Sequence, residues 1–196
     1  MPLTSYALDN FISQQLSQLT ESNAPEVSSR FPERKNWVSD FSLNSIFGGA
    51  VSKEGRTFSF FFLRRAEAAF AEYEYACEAL NAFSSKTPKS PSLYFKALHH
   101  FEMVVSMMWQ AYILGMKISG VRLYEPNDDS KYERLNWVYN KSRHFEPREL
   151  SAGNIHVMWL TNQGVKTEKF EVSYSEIESF LIEIGSLADE LSRAGK

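Results

Sequence analysis

Apolar side chains recur at three- and four-residue intervals in five stretches of the chain and alternate with polar ones in a sixth, a rhythm that forecasts a helical protein with one small sheet. Leu8, Phe11, Ile12, Leu16 and Leu19 share one helical face, with Gln14, Gln15 and Gln18 between them, and predict an amphipathic helix ending before Asn23 and Pro25. A second, stronger stripe runs through Phe62, Ala66, Ala69, Phe70, Tyr73, Cys77, Leu80 and Phe83, opposite Arg64, Glu67, Glu74, Glu78 and Asn81. After the turn SSKTPKSP, Pro91 suits a first helical position, where its missing amide hydrogen is no loss. The third helix, from Ser92 to about Ser119, is apolar around most of its circumference and stops at Gly120. Such a face suits burial within one chain or a homodimer interface.

A fourth helix is predicted from Lys131 to about Phe145, after the acidic loop EPNDDS and before Pro147. The segments IHVMWLT and VKTEKFEV are rich in β-branched and aromatic residues and flank Asn162-Gln163-Gly164, which predicts a β-hairpin over about 154–172 with Phe170 and Val172 on its buried face. The last helix opens with Ser175 and Glu178 in capping-box spacing and carries Ile177, Phe180, Leu181, Ile184, Leu187, Ala188 and Leu191 on one face. Residues 24–56 follow no single period; Pro25, Pro32, Gly48, Gly49 and Gly55 interrupt them, so they are expected to hold short elements or to wrap the bundle or a partner. The pattern as a whole predicts one domain over 1–196: a mostly α, antiparallel bundle of four to five helices with a β-hairpin before the C-terminal helix.

Composition narrows the function classes without choosing one. Hydrophobic residues make up 43% of the 196 and aromatic ones 14%, enough for a filled core. A net charge of -3 gives no global attraction to phosphate backbones or anionic membranes, so a nucleic-acid contact has to come from a local patch. The most apolar stretch, 101–118, is interrupted by Glu102, Ser106, Gln110 and Lys117, which argues against a membrane span. The one cysteine, Cys77, and the lack of a secretory leader pattern lead us to expect a cytoplasmic location.

The sequence contains no HExxH, CxxC, GxSxG or GxGxxG pattern, and no cofactor or metal is expected. The stretch from Gly49 to Thr57 departs from a phosphate loop by one extra residue between its glycines and by Arg56 in the lysine position. His99 and His100 are adjacent on one helix, about a hundred degrees apart, and read as packing or rim residues bonded to a neighbouring helix. Cys77 and the Met103, Met107, Met108 and Trp109 group read as core.

The segment from Arg134 to Glu146 is the richest in chemistry, gathering cationic and amide side chains at a helix end. In a continuous helix Asn136, Asn140 and His144 line one face with Trp137. His144 would then act as general acid or base on a ribose hydroxyl, with Lys141, Arg143 or Arg134 stabilising charge on a phosphate. Capping and solvation of a helix end account for the same residues without any function.

Here the chain resembles the HEPN superfamily of helical-bundle domains, many of them nucleases of bacterial defence and toxin systems. The resemblance spans roughly 58–144: two long helices, a hydrophobic middle helix opening with Tyr94-Phe95-Lys96-Ala97-Leu98-His99-His100-Phe101, and an Asn-Lys-x-x-His ending at Asn140, Lys141 and His144. Active members place an arginine four to six residues before the histidine and pair two copies of the motif in a dimer cleft. In this chain the arginines are Arg134, followed by Leu135, and Arg143, next to His144. The resemblance therefore implies first a non-catalytic RNA- or nucleotide-binding domain, with Asn136, Asn140 and Lys141 in contact with nucleic acid. A metal-independent ribonuclease using His144 with Arg134 or Arg143 is the second expectation. A structural subunit binding an antitoxin or other protein partner through residues 24–56 or the hairpin is the third.

Overall fold

The computed structural model describes residues 4–21, 23–47, 52–143, 150 and 153–193. Two long helices, α3 (Lys53–Ser85) and α4 (Pro91–Ser119), form a hairpin that is the largest contact in the molecule. Ser52 caps α3 by accepting the Gly55 amide at 3.1 Å. The expected stripe is the buried one: Phe62, Phe70, Tyr73, Leu80 and Phe83 pack inward with Ala66, Ala69 and Ala76, whose small side chains let α4 approach closely. Pro91 opens α4, and Gly120 ends it in the left-handed conformation (φ 70°), donating its amide to Met116 O at 2.8 Å. Around them lie α1 (Ser5–Phe11), α2 (Trp37–Phe47), α5 (Lys131–Lys141) and α6 (Tyr174–Arg193). The described residues thus hold six α-helices where four to five were expected.

The additional helix is α2, inside the segment that sequence periodicity left unread. Two 3-10 turns, 28–30 and 34–36, lead into it. Trp37 is fully buried, and its indole Nε1 donates to Asp189 Oδ1 on α6 at 2.6 Å. Phe31, Trp37 and Phe70 meet edge to face with centroids 5.4–5.9 Å apart. Glu67, which helical spacing puts on the polar side of α3, accepts the Val38 amide at 2.8 Å near the start of α2. Asn44 closes the other end on Ser192 O at 2.7 Å.

The first helix is shorter than its stripe. It stops at Phe11, which is exposed, and Gln15 takes φ 60° before a 3-10 turn at 16–18. The break follows from side-chain competition for the backbone. Asp9 accepts from both Ser17 N (2.7 Å) and Ser17 Oγ (2.6 Å), while Gln14, expected on a polar face, is buried. Its amide donates to His156 O at 2.7 Å, and its Oε1 accepts the Ile155 and His156 amides, each at 3.2 Å.

The expected hairpin is present as β1 (Met158–Leu160) and β2 (Gly164–Thr167), and a third strand, β3 (Glu171–Ser173), extends it to a three-stranded antiparallel sheet in that order. The first turn lies at 161–163, one residue earlier than the Asn162-Gln163-Gly164 expected, because Gly164 already belongs to β2. The second segment does not stay extended, because Thr167 accepts the Phe170 amide on Oγ1 (3.2 Å) and donates its own amide to Phe170 O (2.8 Å), folding the chain at Glu168-Lys169. Val172 is buried, whereas Phe170 lies half-buried at that turn. Gly164 is required where β2 and β3 approach, since a Cβ there would stand 2.2 Å from Val172 O.

The capping box of α6 lies two residues earlier than the sequence spacing suggested. Ser173 Oγ accepts the Glu176 amide (3.2 Å), and Glu176 Oε2 accepts the Ser173 amide (2.9 Å). Glu178 instead pairs with Arg30 at 3.4 Å. The α5 helix ends at Lys141, about four residues short of expectation, where Ser142 donates its amide to Val138 O (2.9 Å) and its hydroxyl to Tyr139 O (2.8 Å). No helix among the described residues is long and apolar enough to cross a membrane.

Candidate functional site

Helix α5 positions most of the residues singled out by their chemistry, and it divides them. Arg134, near its start, donates to Asp129 O at 2.6 Å and forms an ion pair with Glu176 of the α6 capping box. Burial pushes the Glu176 carboxyl up, but the hydrogen bonds from Arg134 and Ser173 outweigh it and hold the group below the usual carboxylate range. Asn140 Nδ2 donates to Asn136 Oδ1 at 2.9 Å, and Asn136 Nδ2 to the Tyr124 hydroxyl at 2.9 Å, so the two amides form a chain along one face. Arg143 lies over the Tyr139 ring, 5.3 Å from its centroid, and hydrogen-bonds to that hydroxyl. His144 lies outside the described residues, as do Gly49 and its neighbours. Arg134 and Lys141 are about 10 Å apart along the helix axis, seven residues at the ordinary rise.

Among the described members of the set, Lys141 is the one that lines a cavity. Its ammonium stands 5.6 Å from the centroid of Trp137, one turn back on α5. Lys169, from the turn between β2 and β3, stands 4.6 Å from the same centroid and 4.6 Å from that of Phe170. Phe170 meets Trp137 edge to face at 5.7 Å, so the turn and the helix end are locked together by aromatic contact. The two ammoniums are therefore no farther apart than the sum of their distances to one ring, and both gain cation–π attraction from it.

Both lysines and Trp137 line a cavity of about 380 Å³, with Glu168 on the same turn and Asn154 and His156 from the segment before β1. The His156 Nε2 lies 2.8 Å from Ile12 O. A carbonyl only accepts, so Nε2 carries a proton and donates it to Ile12 O. Its ring packs edge to face on Phe95 of α4 at 5.6 Å, and the Gln14 bonds hold its backbone. The Trp137 Nε1 is buried without a partner among the described residues.

Chemically this is a small cleft that, among the described residues, gathers two lysine ammoniums, the Glu168 carboxylate and the His156 imidazole. It suits an oxyanion such as a phosphate, which gains two ammonium donors there. Among the described residues no group of three His, Cys, Asp or Glu side chains is placed to hold a metal ion. His100 donates from Nδ1 to the Glu72 carboxylate on α3 at 2.7 Å and packs against Tyr75. Cys77 packs against the core, and burial pushes its thiol up to about 11.

Lysine 141 was legible from the sequence as a candidate, whereas Lys169 and His156 were not. Lys169 falls inside what reads as one continuous strand, and only the fold at Thr167 turns it toward α5. His156 reads as a strand residue, yet Gln14, 142 positions away in sequence, sets its place. No family model, no curated protein and no solved structure matches this chain.

Proposed function

We propose that the chain is a HEPN-like RNA- or nucleotide-binding domain, of the kind used in bacterial defence or toxin–antitoxin systems, that binds without cleaving. One observation carries the reading: Lys141 and Lys169, from elements far apart in sequence, converge on Trp137 beside a 380 Å³ cavity. Two cations held on an aromatic platform engage phosphate without sequence preference, the ordinary basis of single-strand binding. Because the ammoniums lie over the indole, phosphate contact rather than base stacking is the main attraction.

The test is fluorescence anisotropy with a labelled twelve-nucleotide single-stranded RNA, and separately with ADP, over a series of salt concentrations. RNA affinity should fall with salt, and the Lys141→Ala/Lys169→Ala variant should lose about 0.7 of logarithmic slope for each phosphate contact removed. Binding of ADP alone would place the site among nucleotide binders. Absence of binding to both, or a slope unchanged in the double variant, ends this reading. The exposure of Leu43 (56%) and Ile46 (74%) on α2 favours a second one, a protein-interaction subunit that uses residues 24–56.

A further inference from the structure

A second cleft, remote in chemistry from the first, lies where α3, α4, α5 and α6 meet. It encloses about 190 Å³ and is lined mainly by Phe62, Tyr112, Met116, Tyr132, Ile184 and Leu187, with Gly115 in its wall. That glycine is the informative residue. Gly115 lies within α4 and has no left-handed backbone angle to require it. A Cβ built there would touch only Leu187 Cδ2 and Phe62 Cε2, both at 3.7 Å, which is ordinary van der Waals contact. Alanine would fit and would strengthen the helix. Gly164 and Gly185 differ, because a Cβ at either would collide at 2.2 or 2.6 Å. What Gly115 does provide is open volume in the cleft.

Glu183, the one carboxylate lining the cleft among the described residues, is already saturated. It accepts from Tyr112 OH (2.7 Å), Tyr132 OH (2.9 Å) and Ser179 Oγ (3.3 Å), and pairs with Lys131. It therefore has little to offer a ligand donor and would repel an anion. Tyr112 and Tyr132 already meet edge to face at 5.2 Å, and Phe62 and the Met116 thioether complete walls that favour an aromatic ring. An apolar cavity of about 150 Å³ holds a benzene ring, so the volume here suits one ring with a small substituent.

We propose that this cleft is a binding site for a small, uncharged, single-ring aromatic molecule, kept open by Gly115. Toluene and benzoate are the probes, followed by methyl-region NMR and thermal unfolding of the full chain. Toluene should shift the methyl signals of Ile184, Leu187 and Met116 and raise Tm, whereas benzoate should do neither. Gly115→Ala should raise the Tm of the free protein by about 2–4 °C and weaken toluene binding severalfold; Gly115→Leu should abolish it. Should the leucine variant fail to fold, the alanine variant decides. Toluene that leaves those signals unmoved, benzoate that binds as well, or unchanged affinity in Gly115→Ala would each overturn the proposal.

Discussion

Replacing Gly185 with alanine measures how tightly the amino-terminal segment is seated on α6. In an unobstructed helix interior the change stabilises by about 0.5–1 kcal/mol. At Gly185 a Cβ would stand 2.6, 2.7 and 2.8 Å from Cζ, Cε2 and Cε1 of Phe31, whereas carbon pairs settle at about 3.5–4.0 Å. The ring would have to retreat by about 1 Å. Its path is blocked, because it stands edge-on to Phe70 at 5.4 Å and to Trp37 at 5.9 Å, and Trp37 is itself pinned to Asp189. Overpacking of this kind costs about 1–3 kcal/mol, and with three ring atoms inside contact distance the upper part of that range applies, so after the helix gain a net loss of about 1–2.5 kcal/mol remains. Urea unfolding followed by circular dichroism should show the loss as a lower midpoint with the slope unchanged. Phe31→Leu withdraws the ring atoms, so the same alanine in that background should be tolerated and the double-mutant cycle should show at least about 1 kcal/mol of coupling. A Gly185→Ala protein as stable as the parent, or additive behaviour in the cycle, would refute the argument that Phe31 is held against the helix.

Two further outcomes are expected. Burial pushes the Glu102 carboxyl up from 4.5 to about 7, so the destabilisation from this one group is absent below about pH 4.5 and grows as pH rises through 7; Glu102→Gln should raise Tm at pH 8 and change it little at pH 4.5, and equal effects at the two pH values would contradict this. Arg134→Ala should lower stability at pH 7 by about 1–2 kcal/mol by leaving the half-buried Glu176 without its guanidinium. Because Glu176 is held below the usual range, that contribution is present above its unfolded pKa and fades as pH falls through the folded one, so the difference from the parent should shrink in acid; a pH-independent difference would count against the ion pair.

The helical frame was legible because the α3 and α4 stripes are long and their ends are chemically marked, by Pro91 and by Gly120. Short elements were not. The helix α2 has apolar residues on more than one side, since Trp37 and Phe41 are buried while Leu43 and Ile46 are exposed, so its period is blurred. The first stripe promised one helix, yet Asp9 and Gln14 supply hydrogen bonds that the helical backbone would otherwise make. Two capping boxes of equal spacing, Ser173 with Glu176 and Ser175 with Glu178, compete in the sequence. Tertiary contact chooses the first, because Arg134 reaches Glu176 and Arg30 draws off Glu178. For the candidate site, one helix supplied Trp137 and Lys141 in plain view, whereas Lys169 joins them only through a turn that local alternation conceals.

The side chains that tie the amino-terminal segment down have an implication for how the chain is made. Gln14 bonds to residues 155 and 156, Asn162 to residues 18, 20 and 21, and Trp37 to Asp189. Their partners emerge from a ribosome well over a hundred residues later, at about 5–20 residues per second. The α3–α4 hairpin has its contacts within reach as soon as it is synthesised, so it can associate first. The segment that precedes α3, although made before that hairpin, is therefore among the last parts to find its place, and for those seconds its buried aromatic residues are a surface a chaperone would meet.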